Sequence, residues 1–143
     1  MKSQRVTLIT LSVADLSASR RFYFDLGWEE ADGGDNKTIA FYKLNGQYLA
    51  LYDRAALVGD IGIPIKQRAT GAITLATNYP SEAEVDAAYA AAAKAGALQM
   101  VTPDKTDWGG YSGYYADPDG HLWEVAYNPF WPLDDSGAIA GDA

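Results

Sequence analysis

Few side chains in this 143-residue chain are able to carry chemistry by themselves. There is no cysteine and one histidine, His121. Disulfides, thiolate nucleophiles and thiolate metal sites are excluded, and a lone imidazole with no Ser or Cys partner in view makes no catalytic triad. His121 follows a turn glycine, Gly120, which places it at a hairpin rim as a structural or solvent-facing residue. The residue that stands out is Glu124, set among Leu122, Trp123, Val125 and Ala126. A carboxylate on such an apolar strand, if it faces inward, needs a partner or stays protonated. It reads either as a ligand anchor or general base, or as a structural group hydrogen-bonded to a neighbouring Tyr or backbone group. Trp123 alternates with Glu124 and belongs on the opposite side of the strand, in the core. Trp108, Tyr111 and Tyr115 surround Gly109-Gly110 and suggest an aromatic wall for a planar ligand, or else core packing. Asp15, Asp117 and Asp119 are read as helix-cap and turn residues, not as a catalytic carboxylate pair.

The elements that position these residues can be read from period and punctuation. Val6 to Val13 alternates apolar residues with Thr and Ser, as a strand does. Asp15 or Ser17 caps a helix running to about Leu26, with Ala18, Phe22 and Leu26 on its apolar side, Tyr23 beside them, and Gly27 as terminator. Trp28 to Ala31 is a short strand. Thr38 to Leu44 and Tyr48 to Tyr52 form a hairpin around Asn45-Gly46. The order then recurs. A strand over Gly71 to Thr77 precedes a capping box, Ser81-Glu82-Ala83-Glu84, and a helix with Val85, Ala88, Tyr89 and Ala92 on one face, stopping at Gly96. Strands follow at Leu98 to Thr102, Tyr111 to Ala116 and His121 to Tyr127, the last two joined by the Asp117-Pro118-Asp119-Gly120 turn.

The repeated order, with Gly27 matching Gly96, Asn45-Gly46 matching Asp119-Gly120 and Ile9-Thr10-Leu11 matching Ile73-Thr74-Leu75, indicates an internal duplication. We therefore expect an α+β fold, a single domain over 1–143 built from two tandem βαβββ modules at 5–53 and 71–129. A linker at 54–70 carries Gly59, Gly62 and Pro64 as breakers and a short helical turn near Ala55 to Val58. Phe130 and Trp131, between two prolines, are too apolar for a free tail and are expected to dock on the body or on a second subunit. Within the tail, 130–143, the acidic end from Asp134 to Ala143 is expected to be poorly ordered.

Composition narrows the partners. The formal net charge is −8, with 11 Lys and Arg against 19 Asp and Glu, in no basic cluster, which argues against nucleic acid. Val6 to Val13 is too short and too polar to span a membrane and no convincing signal-peptide site follows, so the expected location is cytoplasmic. Four Trp, ten Tyr and four Phe suit a core and also a pocket for a flat organic molecule.

Val13-Ala14-Asp15-Leu16, Arg21-Phe22-Tyr23 and Leu26-Gly27-Trp28, together with Tyr115-Ala116-Asp117-Pro118-Asp119-Gly120-His121-Leu122-Trp123-Glu124-Val125, resemble the two modules of the vicinal-oxygen-chelate (glyoxalase/bleomycin-resistance/extradiol dioxygenase) superfamily. The resemblance covers roughly residues 6 to 129. It implies βαβββ modules whose mixed sheets curl into a cup, commonly in a homodimer, with a divalent metal in the cup of the enzymes. The ligand positions carried over from the family fall on Leu8, Ala50, Ala72 and Glu124. Only the last is a ligand, and one carboxylate does not hold a hard divalent ion. No metal and no other cofactor is therefore expected, and glyoxalase-type isomerisation and extradiol dioxygenation lose their usual basis. Thr10, Thr74 and Tyr52 are expected to line the cup with Glu124, Trp108, Tyr111 and Tyr115. The expected function is metal-independent binding of a small organic ligand, aromatic or cationic. The alternative is a lyase, isomerase or dioxygenase of the same fold that uses Glu124 as acid, base or metal ligand. A partner-binding module, with the cup filled by its own side chains, is a third reading.

Overall fold

In the computed structural model, which describes residues 3–35, 37–65 and 71–141, the first alternating stretch forms strand β1, Leu8–Val13. Leu11 and Val13 are buried, and Leu8 and Thr10 are exposed. Helix α1, Leu16–Asp25, follows. Asp15 caps it by accepting the Ala18 N–H at 3.1 Å, so Ser17 is not the cap. The helix buries Leu16, Ser19, Phe22 and Tyr23, while Ala18 is exposed. Gly27, at φ +95°, ends the helix: its N–H bonds Phe24, and the Trp28 N–H reaches back to Tyr23. β2, Glu30–Ala31, is two residues long. β3, Ile39–Lys43, and β4, Tyr48–Asp53, are the hairpin set by Asn45-Gly46. The first sheet has the order β1-β4-β3-β2, with β1 parallel to β4 and the other pairs antiparallel.

Where a linker was expected, helix α2, Arg54–Ile61, runs for eight residues. The Asp53 carboxylate caps it through the Ala56 N–H, and Gly62 closes it at φ +70°. The segment 66–70, part of the expected linker, lies outside the described residues. The chain divides into two compact units, Met1–Arg68 and Ala69–Ala143.

The second unit repeats the pattern. It runs β5 (Thr74–Asn78), α3 (Glu82–Lys94), β6 (Leu98–Lys105), β7 (Tyr111–Ala116) and β8 (Leu122–Tyr127), in the sheet order β5-β8-β7-β6. Ser81 caps α3 through the Glu84 N–H at 3.2 Å, and its hydroxyl donates to the Glu84 carboxylate at 3.0 Å. α3 buries Val85, Tyr89 and Ala92. β6 is longer than expected because pairing resumes at Asp104 after an irregularity that contains Thr102 and Pro103. A proline is tolerated there because β6 is the outer strand of its sheet. The strand bulges between Gln99 and Val101 and again between Val101 and Asp104. It crosses so close to Gly113 that a Cβ there would lie 2.7 Å from the Val101 carbonyl oxygen and the Pro103 nitrogen.

Two sequence expectations are corrected. The tail is ordered through Ala140: Leu133 pairs with Ile139, and the Asp134 carboxylate accepts the Ser136 and Ala138 N–H groups and the Ser136 hydroxyl. Those contacts hold its pKa below the ordinary carboxylate range, the Ser136 hydroxyl first. The Ile-Thr-Leu match is also two residues out of structural register. Leu8 pairs with Tyr48 and Thr74 pairs with Leu122, and both partners stand two residues after a hairpin glycine. The helix caps Asp15 and Ser81 keep the same spacing from Leu8 and Thr74. Thr74, not Ala72, is therefore the counterpart of Leu8, and Ala76 is the counterpart of Thr10.

Asp117 holds the β7–β8 hairpin. Its carboxylate is 1% exposed and accepts the Asp119 and His121 N–H groups, each at 2.9 Å. Replacing it with Ala leaves those amides without their acceptor. We expect Asp117→Ala to cost about 1–3 kcal/mol, read as a lower midpoint in urea unfolding at unchanged slope; an unchanged midpoint would show that the turn holds without its carboxylate.

Candidate functional site

Strand parity sorts the second module's residues into two faces. β8 pairs with β7 as Tyr115↔Trp123 and Tyr114↔Glu124, and with β5 as Leu75↔Trp123 and Ala76↔Glu124. Tyr115 and Trp123 are 7% and 4% exposed and share the face covered by α3. Tyr111 is on that face too, and its hydroxyl donates to Asp86 of α3 at 2.7 Å. The acceptor carboxylate pushes the Tyr111 pKa up to about 12. Burial pushes Tyr115 higher still.

The expected aromatic wall is therefore corrected. Tyr111 and Tyr115 pack toward the helix, away from Glu124. Trp108 lies elsewhere again, in the turn before β7, where its ring covers Gly110; a Cβ at Gly110 would meet the ring at 2.0 Å. Trp108 is half exposed. Phe130 reaches Gly109 from the other side, where a Cβ would lie 3.4 Å from its ring, while the rest of Phe130 stays exposed. Phe130 thus docks by one edge only, and Trp131 is 47% exposed.

On the opposite face, Glu124 is half buried and stands beside its direct cross-strand partner, Tyr114 of the neighbouring strand. Around this pair the face carries Thr74, Ala76, Ser112 and Ala126. The Tyr114 pKa is raised, first by burial, then by the charge of Glu124. No cation pairs with Glu124 among the described residues. Sequence reading missed Tyr114. The signal was present, because counting outward from the Asp117–Gly120 turn pairs 116 with 122, 115 with 123 and 114 with 124.

The first module has an equivalent face, on the side of its sheet away from α1. Leu8, Thr10 and Ser12 of β1 alternate there with Tyr48, Ala50 and Tyr52 of β4, and Thr10 pairs directly with Ala50. Tyr52 is not a free liner: its hydroxyl donates to Asp60 of α2 at 3.1 Å, and that bond is the main cause of its raised pKa. Ala50 is fully buried.

These residues do not fit a divalent metal. The first module offers Leu8 and Ala50, with no donor atom. The second offers Glu124 and, in corrected register, the Thr74 hydroxyl. Among the described residues no group of three or more His, Cys, Asp or Glu is placed to hold a metal ion.

Comparison with known proteins bears on this arrangement. The family model described as the glyoxalase/bleomycin resistance protein/dioxygenase superfamily matches residues 5–125. A glyoxalase-related enzyme from Fulvimarina pelagi is 38% identical, over 98% of this chain and 99% of its own, with a TM-score of 0.89. Two others share the fold at lower identity. One is the hypothetical protein SA1046 from S. aureus, 18% identical over 90% of this chain and 96% of its own, with a TM-score of 0.77. The other is a glyoxalase/bleomycin resistance protein/dioxygenase from Nocardioides, 24% identical over 100% of this chain and 91% of its own, with a TM-score of 0.75. No curated protein matches the chain.

The pairing of Tyr114 with Glu124 has a measurable sign. Removing the charge in Glu124→Gln takes away the neighbouring negative charge that favours the neutral phenol. We expect one tyrosine to titrate at lower pH than in the parent, followed by phenolate absorbance. An unchanged titration curve would show that the two groups are not coupled in solution.

Proposed function

This chain belongs to the glyoxalase/bleomycin resistance protein/dioxygenase superfamily, and we propose that it is a metal-independent protein that binds a small organic molecule, aromatic or cationic, on the open sheet face that carries Glu124. The observation that supports this most is the Tyr114–Glu124 pair: a half-buried carboxylate beside a phenol, with no cation among the described residues, on a face whose neighbours include Thr74, Ala76 and Ser112. A partly desolvated carboxylate favours a ligand that brings positive charge or N–H donors. Ala76 beside it is exposed and leaves room for an apolar body, and Thr10 and Thr74 are hydroxyl-bearing candidates on the corresponding faces of the two modules. The donors at the family's metal positions support a site without metal. The family resemblance and the absence of cysteine support a cytoplasmic homodimer; among the described residues no helix is long and apolar enough to cross a membrane.

A second reading has support of its own, because the 38% identical relative is a glyoxalase-related enzyme. In that reading the chain is a lyase or isomerase in which Glu124 moves a proton. Tyr114 would then hold the carboxylate in place and give a proton-bearing group beside it.

One set of measurements separates the readings. Protein purified without chelator is analysed for metal, then screened by tryptophan fluorescence and thermal shift against aromatic and cationic compounds, with Ni, Zn, Mn, Fe and Mg ions alongside. We expect metal well below stoichiometry, stabilisation by a cationic aromatic compound, and roughly tenfold or greater loss of its affinity in Glu124→Gln. Stoichiometric metal, or full affinity in Glu124→Gln, would sink the binding proposal; turnover of a ligand that stops in the same variant would establish the enzyme instead. Light scattering that gives only a monomer mass would remove the dimer.

A further inference from the structure

The first module has a second concave feature, on the side of its sheet away from Leu8, Thr10 and Ala50. α1 presents Ser17, Arg20, Arg21 and Phe24 on one face, at the i, i+3, i+4 and i+7 spacing of a helix. Opposite them stand Glu30 of β2, Tyr42 of β3 and Trp28 from the connection between α1 and β2. Together they line a cavity of about 290 Å³. Tyr42 packs against Tyr23 of α1, so this is the helix-covered face of the sheet.

Two observations make this a built site. Tyr42 lines the cavity yet is only 2% exposed, and its hydroxyl has no hydrogen-bond partner among the described residues. Its ring is wedged between Tyr23 at 6.0 Å and Trp28 at 5.7 Å, so the phenol cannot swing away to find one. The two guanidinium groups are each pinned at one nitrogen. Arg20 Nε is on Glu30 at 2.6 Å, and Arg21 Nε is on both Asp25 oxygens at 3.2 Å. Their terminal Nη groups make no bond among the described residues, which leaves donors available on both guanidinium groups. Glu30 in the lining and Asp25 beside it balance the two guanidinium charges, so the site offers directed donors and not net positive charge. Glu30, the one acid in the lining, is already engaged by Arg20.

From this geometry we propose that the cavity binds an aromatic monocarboxylate. Its carboxylate accepts hydrogen bonds from the guanidinium ends and the Tyr42 hydroxyl, and its ring lies against Trp28 and Phe24. A planar carboxylate matches the guanidinium fork, which a rounder anion does not. A single ring fits because the volume is at the small end of ligand pockets. A dianion is disfavoured by Glu30 in the lining and Asp25 beside it. Burial, with the charge of Glu30 adding to it, pushes the Tyr42 pKa up to about 12, so the phenol remains a donor throughout the neutral range. Phe24, 72% exposed, is otherwise a large apolar ring left in water.

The test uses the full chain and phenylacetate as probe, with benzylamine and inorganic phosphate as comparisons, read by calorimetry and by the Trp indole signals in NMR. Saturable phenylacetate binding is expected, weakened roughly tenfold in Arg21→Gln and in Tyr42→Phe, with little or no binding of benzylamine or phosphate at this site. Arg21 is 78% exposed, so its variant reports on the site even if Tyr42→Phe fails to fold. Glu124→Gln retains full phenylacetate affinity, which keeps this outcome separate from the fate of the open-face proposal. No saturable binding, equal affinity in Arg21→Gln, or competition by benzylamine or phosphate at matching concentration overturns the proposal.

Discussion

Each module depends on one parallel ladder, β1 to β4 in the first and β5 to β8 in the second. A parallel pair cannot be closed by a tight turn, so a crossover must join the two strands. Here the crossover holds a helix and the other two strands. The ladder brings the first strand of the module beside the last and fixes which residues face each other. Once Trp123 pairs with Leu75 and Tyr115, all three go to the side that α3 covers. Glu124, Ala76 and Tyr114 then go to the other side without further choice, because the pleat alternates strictly. A slip of one residue would place Glu124 under the helix and Trp123 in the open.

The two modules use this scaffold differently. In the first, Tyr52 spends its hydroxyl on Asp60 of α2, and Leu8 and Ala50 bring no donor atom. In the second, the equivalent of Ala50 is Glu124 and the equivalent of Phe41 is Tyr114, so a polar pair stands where the first module has an aromatic ring and a methyl group. A divalent ion requires several donors to replace its water. A carboxylate with one phenol and one hydroxyl nearby does not supply them, but it suits hydrogen bonding to an organic ligand. Duplication has preserved the frame while the chemistry has settled in one copy.

Much of this frame was legible in the residues. The Ser81 cap, the turn glycines at 27, 46, 96 and 120, and both hairpins follow from local rules whose physics acts within a few residues. Where local rules failed, the reason is visible. The strand expected at Leu98 to Thr102 runs on to Lys105, because Pro103 falls in a bulge of an outer strand, where a missing N–H costs little. The acidic tail looked disordered by composition, yet one carboxylate, Asp134, organises it by satisfying three donors. The tripeptide match between the halves misled by two residues, since pairing and caps, not identity, define equivalence.

The sequence alone determined the α+β class, the doubled βαβββ order, the exclusion of thiol chemistry, and the poverty of metal donors at the family's positions. These rest on residue type and on periods of two and 3.6. Tertiary structure alone decided which of two possible faces a helix would cover. That choice sent Tyr111 and Tyr115 inward and made Tyr114 the partner of Glu124. It also created the cavity between α1 and the β2–β3 edge, whose lining residues are spread from Ser17 to Tyr42 and share no motif. Alternation assigns residues to two sides of a strand, but only packing against a distant element makes one side core and the other a surface that water or a ligand can reach.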